Sequence, residues 1–537
     1  MKSKKILFRL LSLISYFFTA LVILLLFLMT NALGLSVIAF LELLIIVFIV
    51  NSLFQINRVI ANITKFILLL LLNSQLFVYL FSGTFISLIM VTNLASLEAL
   101  SGKAGIYIPA ILGVLIFSAI PTRELRLRLK LNYLSLSVLV ALNLILLNIT
   151  HFGYSPTYNL LYLSKDIYAK YETTQRINQL SESKSSFHNE NIPNAIDKSE
   201  NLTQKPNIIL LFAEGLSQNI IYDSRQIMPN IATFQKESIS FDNYFNHTFA
   251  TYRGLQGQLY SGYQLGDQDP NYLISVQDIL KDHGYYTTFI NSEPKNKTFT
   301  HYLEDFEFEN LVTSNKLNGT ANTISDKDLY QLLWKEIEKQ SQRNTPFFIA
   351  TYSFGTHISS DSPDEQFADG KDPLLNRFYN LDVQFGDFIE KFKASSVSDN
   401  TIIVFTTDHA SFIDSDFRRT FPDYVRNHGM VDEIPFYIYY KGMDSKVIDA
   451  QGRNSLSLAP TILDYLDISD ENYFLGDTLF SNSESIFNTT FVSENTILST
   501  NKLTDGSHLA KLESNQVDEI KEKLELYYAS KLHKSKD

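Results

Sequence analysis

At 537 residues the chain is too long for one ordinary domain, and its 45 Lys and Arg against 57 Asp and Glu leave a formal net charge of −12. The charge is split: residues 1–150 hold eleven basic and three acidic side chains, so the remainder stands at about −20, and it also holds all ten histidines. Such an acidic part excludes a nucleic-acid partner, whose phosphates demand Lys/Arg stripes, and the absence of cysteine excludes disulfides, thiolate metal sites and thiol nucleophiles.

Five apolar runs of spanning length come first, at Leu11–Thr30, Leu33–Phe54, Phe66–Leu88, Gly105–Ile120 and Leu131–Leu147. The first is too long for a removable signal peptide and lacks a small-residue cleavage site. Basic residues cluster before the first run (Lys2, Lys4, Lys5, Arg9), between the second and third (Arg58, Lys65), and between the fourth and fifth (Arg123, Arg126, Arg128, Lys130). Five spans put all three clusters on one side, the cytoplasmic one by the positive-inside rule. An odd number of spans then places residues 151–537 on the outer face. Glu42, in mid-span, reads as a neutral or paired helix residue. Glu98, in the outer loop 91–105, is expected at the depth of lipid headgroups.

Residues 151–205 change character. Leu160–Ile177 is apolar and aromatic enough for a helix along the membrane surface, and Asn178–Lys205, rich in Ser, Asn, Lys and Glu, reads as a mobile tether. From Pro206 the pattern alternates. Asn207–Phe212 (NIILLF) is an apolar run of buried-strand type, with Glu214 just past its end. Ile239–Phe245 is strand-like and leads into Asn246–Tyr263, where Thr251 opens a helix. A helix N-terminus offers free N–H groups and partial positive charge, suited to a phosphate. A threonine there is ordinarily a cap, and its hydroxyl is a weak nucleophile until a base or metal strips its proton. Thr248 is the alternative nucleophile.

Beyond it come a helix at Val276–His283, a strand at Tyr285–Asn291, a helix at Asp326–Gln340, a strand at Pro346–Ser353 and a helix at Leu375–Phe392. A strand at Thr401–Thr406 is followed at once by Asp408 and His409; Ile434–Tyr440 is a further strand, Leu458–Leu466 a helix, and Gln516–Leu532 an amphipathic helix with no chemistry of its own. The expected architecture is thus five N-terminal transmembrane α-helices (1–150), a juxtamembrane helix and flexible linker (151–205), and an extracytoplasmic α/β domain (206–537) whose mostly parallel sheet is sandwiched by helices. Ligands of such sheets gather at the carboxyl ends of strands. Two carboxylates, one imidazole and a hydroxyl there suit one divalent ion, Zn or Mn.

These segments resemble the alkaline-phosphatase/sulfatase superfamily, in the branch of membrane-anchored phosphoethanolamine and phosphoglycerol transferases that includes lipoteichoic acid synthase. The matching pieces are PNIILLFAEGLS (206–217), MPNIATFQKESISFDNYF (228–245), HTFATYRGLQGQLYSGY (247–263), ISDKDLYQLLWKEI (324–337), FGTH (354–357), IIVFTTDHA (402–410), IPFYIYYKG (434–442) and LAPTILDYLDI (458–468). The resemblance implies that Glu214, Asp408 and His409 are metal ligands joined by Thr251, the nucleophile. It implies that His357 and His428 steady the phosphate or shuttle protons, and that Arg253 holds phosphate oxygens.

The chain also departs from the families it resembles. Sulfatases convert a Cys or Ser within a Cys/Ser-x-Pro-x-Arg pattern to formylglycine, whereas Thr251-Tyr252-Arg253-Gly254 cannot give that aldehyde, which disfavours sulfate hydrolysis. Phosphoethanolamine transferases acting on lipid A usually carry disulfides in this domain, and this chain has no cysteine. The expected enzyme is multi-pass in a bacterial cytoplasmic membrane. Its donor is a phospholipid and its acceptor a surface glycan or a lipopolysaccharide core sugar. Phosphoethanolamine is the favoured group, phosphoglycerol transfer and sulfatase-like phosphohydrolysis are the alternatives, and a non-enzymatic sensor or scaffold is the reading furthest from the Glu/Thr/Asp/His set.

Overall fold

In a computed structural model of the full chain, the described residues are 13–92, 103–124, 129–180, 186–198, 202, 205–316, 322–360, 364–426, 428–482, 485–494, 496–500 and 512–532. They form two compact units. The first takes in Met1–Val91, Lys103–Tyr168 and Ile413–Arg419, and the second Thr92–Gly102, Ala169–Phe412 and Thr420–Asp537.

The first unit is built of apolar helices: α1 (Ile14–Thr30), α2 (Leu33–Phe54), α3 (Arg58–Ser82), α4 (Ala104–Ala119) and α5 (Leu129–Ile149). By length and composition α2, α3 and the Asn132–Ile149 part of α5 can cross a membrane, while α1 and α4 are apolar but shorter. The third expected run is displaced. Its helix starts back at Arg58, because the Asn57 side chain accepts from the N–H groups of Val59 and Ile60, and it stops at Ser82, leaving Leu88–Thr92 as a separate turn. Leu26, Leu35, Ala39, Leu69 and Leu76 fill the interior, and large aliphatic side chains such as Leu28, Ile63 and Ile111 stay on the outside. That is the inside-out pattern of a unit whose surroundings are as apolar as its core.

Two charged side chains inside this unit are paired. Lys65 donates its ammonium to the Ile120 carbonyl. Glu42 accepts from the Ser155 hydroxyl, from Thr157 N at 3.1 Å and from Thr157 Oγ1 at 2.7 Å. It therefore lies at the N-terminus of α6 (Pro156–Gln179), where a carboxylate suits the free N–H groups and the dipole. Glu98, the cluster before the first run, and Arg126 and Arg128 lie outside the described residues.

The second unit is organised by an eight-stranded sheet of β1 (Asn207–Ala213), β2 (Ile239–Asp242), β3 (Tyr286–Ile290), β4 (Asn310–Val312), β5 (Phe347–Tyr352), β6 (Thr401–Thr407), β7 (Phe436–Tyr439) and β8 (Lys446–Asp449). Their order is β4-β3-β5-β1-β6-β7-β2-β8. Every pairing is parallel except the two made by β7, so β7 alone runs against the rest. β1, β5 and β6, at the centre, are buried on both faces, as continuous apolar runs in a parallel sheet must be. Ile208, Leu210 and Phe212 of β1 share one core with Phe348 and Ala350 of β5 and with Ile402 and Val404 of β6. The strand expected over Ile239–Phe245 is shorter, because Asn243 takes a left-handed φ of 51° and ends it. The small strands β4 and β8 were not visible in the sequence: three and four residues long and poorly buried, they carry no apolar period.

The helices α7 (Pro229–Lys236), α8 (Thr251–Tyr260), α9 (Val276–Asp282), α10 (Asp326–Gln340), α11 (Pro373–Ala394) and α12 (Leu458–Tyr465) link or cover the sheet. A hairpin of β9 (Thr490–Ser493) and β10 (Thr496–Ser499) and a last helix, α13 (Ser514–Lys531), pack with Tyr263, Leu273 and Leu456 in a second core. Part of the segment expected as a mobile tether is pinned within this unit. Asn189 bridges to Asn472, Ile192 is buried, and Ala195 N donates to Asp464 Oδ1 at 2.9 Å. One apolar anchor and backbone hydrogen bonds outweigh the polar composition there.

A candidate metal centre at the strand ends

The register of β1 against β6 builds the site. Ala213 faces Thr407 in the ladder, so the residues that follow, Glu214 and Asp408, emerge side by side although nearly two hundred positions apart in sequence. Gly215, at φ 51°, turns the chain sharply after Glu214 and gives its N–H to Asp408 Oδ1 at 2.8 Å. His409 N adds a second bond to the same oxygen at 2.7 Å. The His409 ring is oriented by its Nδ1, 2.7 Å from the Ala410 carbonyl, which accepts only from an N–H, so that in the neutral ring it is Nε2 that carries the lone pair.

What remains are three inward-facing atoms. Glu214 Oε1, Asp408 Oδ2 and His409 Nε2 have no hydrogen-bond partner, although all three side chains are within 1% of complete burial. His409 Nε2 lies 3.5 Å from each carboxylate, and ligand atoms of the three residues fall within 4.8 Å of one another. Orphaned, desolvated donors of this kind fit a divalent cation, because no hydrogen-bonding group among the described residues satisfies them. The electrostatics agree. Burial and the Glu214 charge push the Asp408 carboxyl well up. Burial works against a charged His409, yet the Asp408 and Glu214 carboxylates raise it to about 9. Burial, the largest single effect, opposes ionisation of Glu214 too, but the His409 and His357 imidazoles and the Asp408 carboxyl together hold it well below the usual range. Protons held on Asp408 and on the His409 ring thus stand where a cation's charge would fit beside these carboxylates.

Thr251 meets this cluster directly. It is the first residue of α8, and its Oγ1 donates to Glu214 Oε2 at 3.1 Å. The preceding Ala250 sits at φ 78°, ψ 156°, a region open chiefly to glycine, so the turn that aims the hydroxyl is strained. The helix comes close because of Gly254: a Cβ there would stand 2.2 Å from the Asp408 carbonyl oxygen. The hydroxyl of Thr251, rather than that of Thr248, contacts Glu214; Thr248 is buried, with its carbonyl accepting from Asn246 Nδ2 at 2.7 Å.

The other expected residues are placed less uniformly. His357 follows β5 in a turn where its Nδ1 takes a hydrogen bond from Ser359; its ring stacks on Phe354 with centroids 4.5 Å apart, and its charge helps to lower Glu214. His428 bridges to Val431, and burial lowers its pKa. Arg253 is buried in an ion pair with Asp267, Nε to Oδ1 2.7 Å, so its guanidinium is held there. Tyr352, at the end of β5, was not anticipated: its phenol donates to the same Glu214 oxygen as Thr251. A tyrosine in an apolar strand gives no sign in sequence that its hydroxyl will reach a carboxylate on the neighbouring strand.

Residues 206–468 match the sulfatase family model. They form a sulfatase domain of the alkaline phosphatase superfamily. A Bacillus subtilis (strain 168) protein described as "Lipoteichoic acid synthase-like YvgJ" is 22% identical over 326 residues, 52% of this chain and 50% of that one. The chain thus spans about half the length of this curated relative. Among solved structures, an alkaline phosphatase superfamily protein from Vibrio parahaemolyticus superposes with a TM-score of 0.53 at 18% identity, covering 67% of this chain and 94% of its own. The integral membrane lipooligosaccharide phosphoethanolamine transferase A (EptA) of Neisseria meningitidis covers 90% of this chain and 97% of its own, with a TM-score of 0.51 at 14% identity. The last likeness extends the shared fold beyond the sulfatase domain into the apolar helices.

Proposed function

We propose that the chain is a membrane-bound transferase that moves phosphoethanolamine from a phospholipid to a hydroxyl of a cell-envelope glycan or lipopolysaccharide core, through a covalent phospho-threonine on Thr251. The observation that carries this reading is the Thr251 hydroxyl at a helix N-terminus, hydrogen-bonded to a carboxylate of the buried Glu214–Asp408–His409 cluster. Those three residues and Thr251 Oγ1 would hold one divalent ion, Zn or Mn, which when bound supplies Lewis-acid stabilisation of alkoxide and phosphate charge.

In the first half-reaction Thr251 Oγ bonds to the phosphorus of the donor phosphodiester and passes its proton toward Glu214 Oε2. The bond from phosphorus to the diacylglycerol oxygen breaks, and that oxygen takes a proton from His357 or His428 as diacylglycerol leaves. The N–H groups at the start of α8 face the phosphate oxygens. In the second half an acceptor hydroxyl bonds to the same phosphorus and its proton goes to the histidine that had given one up, while the bond to Thr251 breaks and Thr251 Oγ takes back the proton held at Glu214 Oε2, which makes a ping-pong scheme.

Taking α1 and α4 to complete a set of five spans would put the sulfatase domain on the outer face of a bacterial cytoplasmic membrane, and the apolar character of both shorter helices supports this. Tyr158, Leu161, Tyr162 and Tyr168, exposed along one side of α6, support a helix lying in the interface where aromatic rings gather. The relative described as lipoteichoic acid synthase-like favours phosphoglycerol as the second reading.

The test is mass spectrometry of Thr251 after the detergent-solubilised chain is incubated with phosphatidylethanolamine or with phosphatidylglycerol. A phosphoethanolamine-sized adduct that discharges when glycan is added is expected. A phosphoglycerol-sized adduct would move the assignment to the second reading, and discharge that ignores the acceptor would make the enzyme a hydrolase. Thr251→Ala should form neither adduct.

A further inference from the structure

We propose that Arg426 is the positioning residue of the metal centre, clasping the two loops that carry Glu214, Asp408 and His409 and tying them to the segment that leads into Thr251. The inference rests on reading that cluster as a metal site.

The sheet ladder fixes the chain only as far as Ala213 and Thr407. Beyond it, two loops must keep two carboxylates and an imidazole converged, and before an ion binds the carboxylates repel each other in a dry site. The structure meets this need with a reciprocal pair of serines. Ser217, three residues past Glu214, gives its N–H to Ser411 Oγ at 3.0 Å; Ser411, two residues past His409, gives its N–H to Ser217 Oγ at 3.0 Å. Ser411 Oγ closes the clasp by donating to the Gly215 carbonyl at 2.6 Å.

Arg426 locks the pair from one side. Its Nη1 donates to the carbonyls of Ser411 (2.7 Å) and Gly429 (3.1 Å), and its Nη2 to Ser217 Oγ (3.1 Å). Nη2 is also 2.9 Å from Asp432 Oδ2, with both side chains buried. Asp432 carries the network on: it accepts from the Tyr424 phenol at 2.7 Å, and its backbone N–H donates to Asn246 Oδ1 at 2.9 Å. Asn246 in turn bonds the carbonyls of Thr248 and Met430. One guanidinium thus joins the loop after β1, the loop after β6, the segment around His428 and the approach to Thr251. Only a planar group with a fork of donors reaches so many acceptors at once; an ammonium of the same charge does not. These contacts of Arg426 run to Ser411, Gly429, Ser217 and Asp432, in the loops around the ligands, so its action is on geometry. Outer partners of this kind typically contribute 10–100-fold in metal affinity.

The experiment uses the full chain, solubilised in detergent and stripped of metal, and measures Zn²⁺ and Mn²⁺ affinity by competition with a chromogenic chelator beside the thermal midpoint of the metal-free form. The double variant Ser217→Ala/Ser411→Ala keeps the Arg426–Asp432 pair, and Arg426→Lys keeps the charge. Both are expected to bind the ions at least fivefold more weakly while the metal-free chain still folds with a cooperative melting transition, with Arg426→Ala weaker still. Should Arg426→Ala fail to fold, the other two variants decide. Affinities of both within twofold of the wild type would overturn the proposal. A wild-type chain that binds neither ion would remove the metal reading itself, and this inference with it.

Discussion

Glu214 is the most heavily engaged residue of the site. Oε2 takes the hydroxyls of Thr251 and Tyr352 while Oε1 faces Asp408 and His409, so one carboxylate divides nucleophile from metal face. Tyr352→Phe removes a buried hydrogen bond to a charged group and should destabilise the sulfatase domain by about 1–3 kcal/mol, read by denaturant titration of the metal-free chain. Glu293, just beyond β3, is a different case. Burial raises its carboxyl to about 8, with the Glu214 charge adding to the shift and Asn296 working against it. The folded chain therefore keeps this proton after the unfolded chain, with an ordinary value near 4.5, has lost it. Stability from this group is full below about 4.5 and falls as pH rises toward 8. Glu293→Gln should flatten that part of the curve, and thermal midpoints compared across the window would show it.

At the scale of elements, α8 is held in place by a strained entry and a close approach. The backbone at Ala250 costs about 1–3 kcal/mol. Ala250→Gly should therefore raise stability by a net of about 1 kcal/mol after its greater unfolded-state freedom is counted, and should slow formation of the Thr251 adduct because the hydroxyl loses its fixed aim. Denaturant midpoint and adduct rate, measured on the same sample, must move in opposite senses. Gly254→Ala acts the other way. Its new methyl meets backbone rather than a flexible side chain at Asp408, so α8 or the end of β6 must shift. The expected outcome is loss of metal affinity together with overpacking of about 1–3 kcal/mol, seen by chelator competition and thermal melting.

For the whole molecule the two units should respond separately to metal. Removing the ion leaves three desolvated groups unsatisfied in the sulfatase domain, whereas nothing in the helices of the first unit changes. The one tryptophan, Trp334, lies in α10 of the second unit, so its fluorescence reports that unit alone. Chelation should lower the fluorescence midpoint, and free Zn²⁺ at a hundredfold excess over Kd should restore about 2.7 kcal/mol. The helical circular-dichroism signal of the first unit should hardly move.

Much of this was legible in the residues themselves. β1, β5 and β6 announced themselves as apolar runs, because a strand buried on both faces needs no polar position. Glu214 and Asp408 stood out as acids placed where such runs stop, and Thr251 as a hydroxyl opening a helix. Those signals are local, set by hydropathy and by where a period breaks. The reversed strand β7, the ion pair that holds Arg253 against Asp267, the phenol of Tyr352 and the clasp through Arg426 were not legible. Each depends on a partner brought near by the order and register of the strands, and no local period encodes that partner. The sequence determined which groups are available at the strand ends. Only the tertiary structure decided which of them meet, because the ladder between Ala213 and Thr407 sets the separation on which every later contact depends.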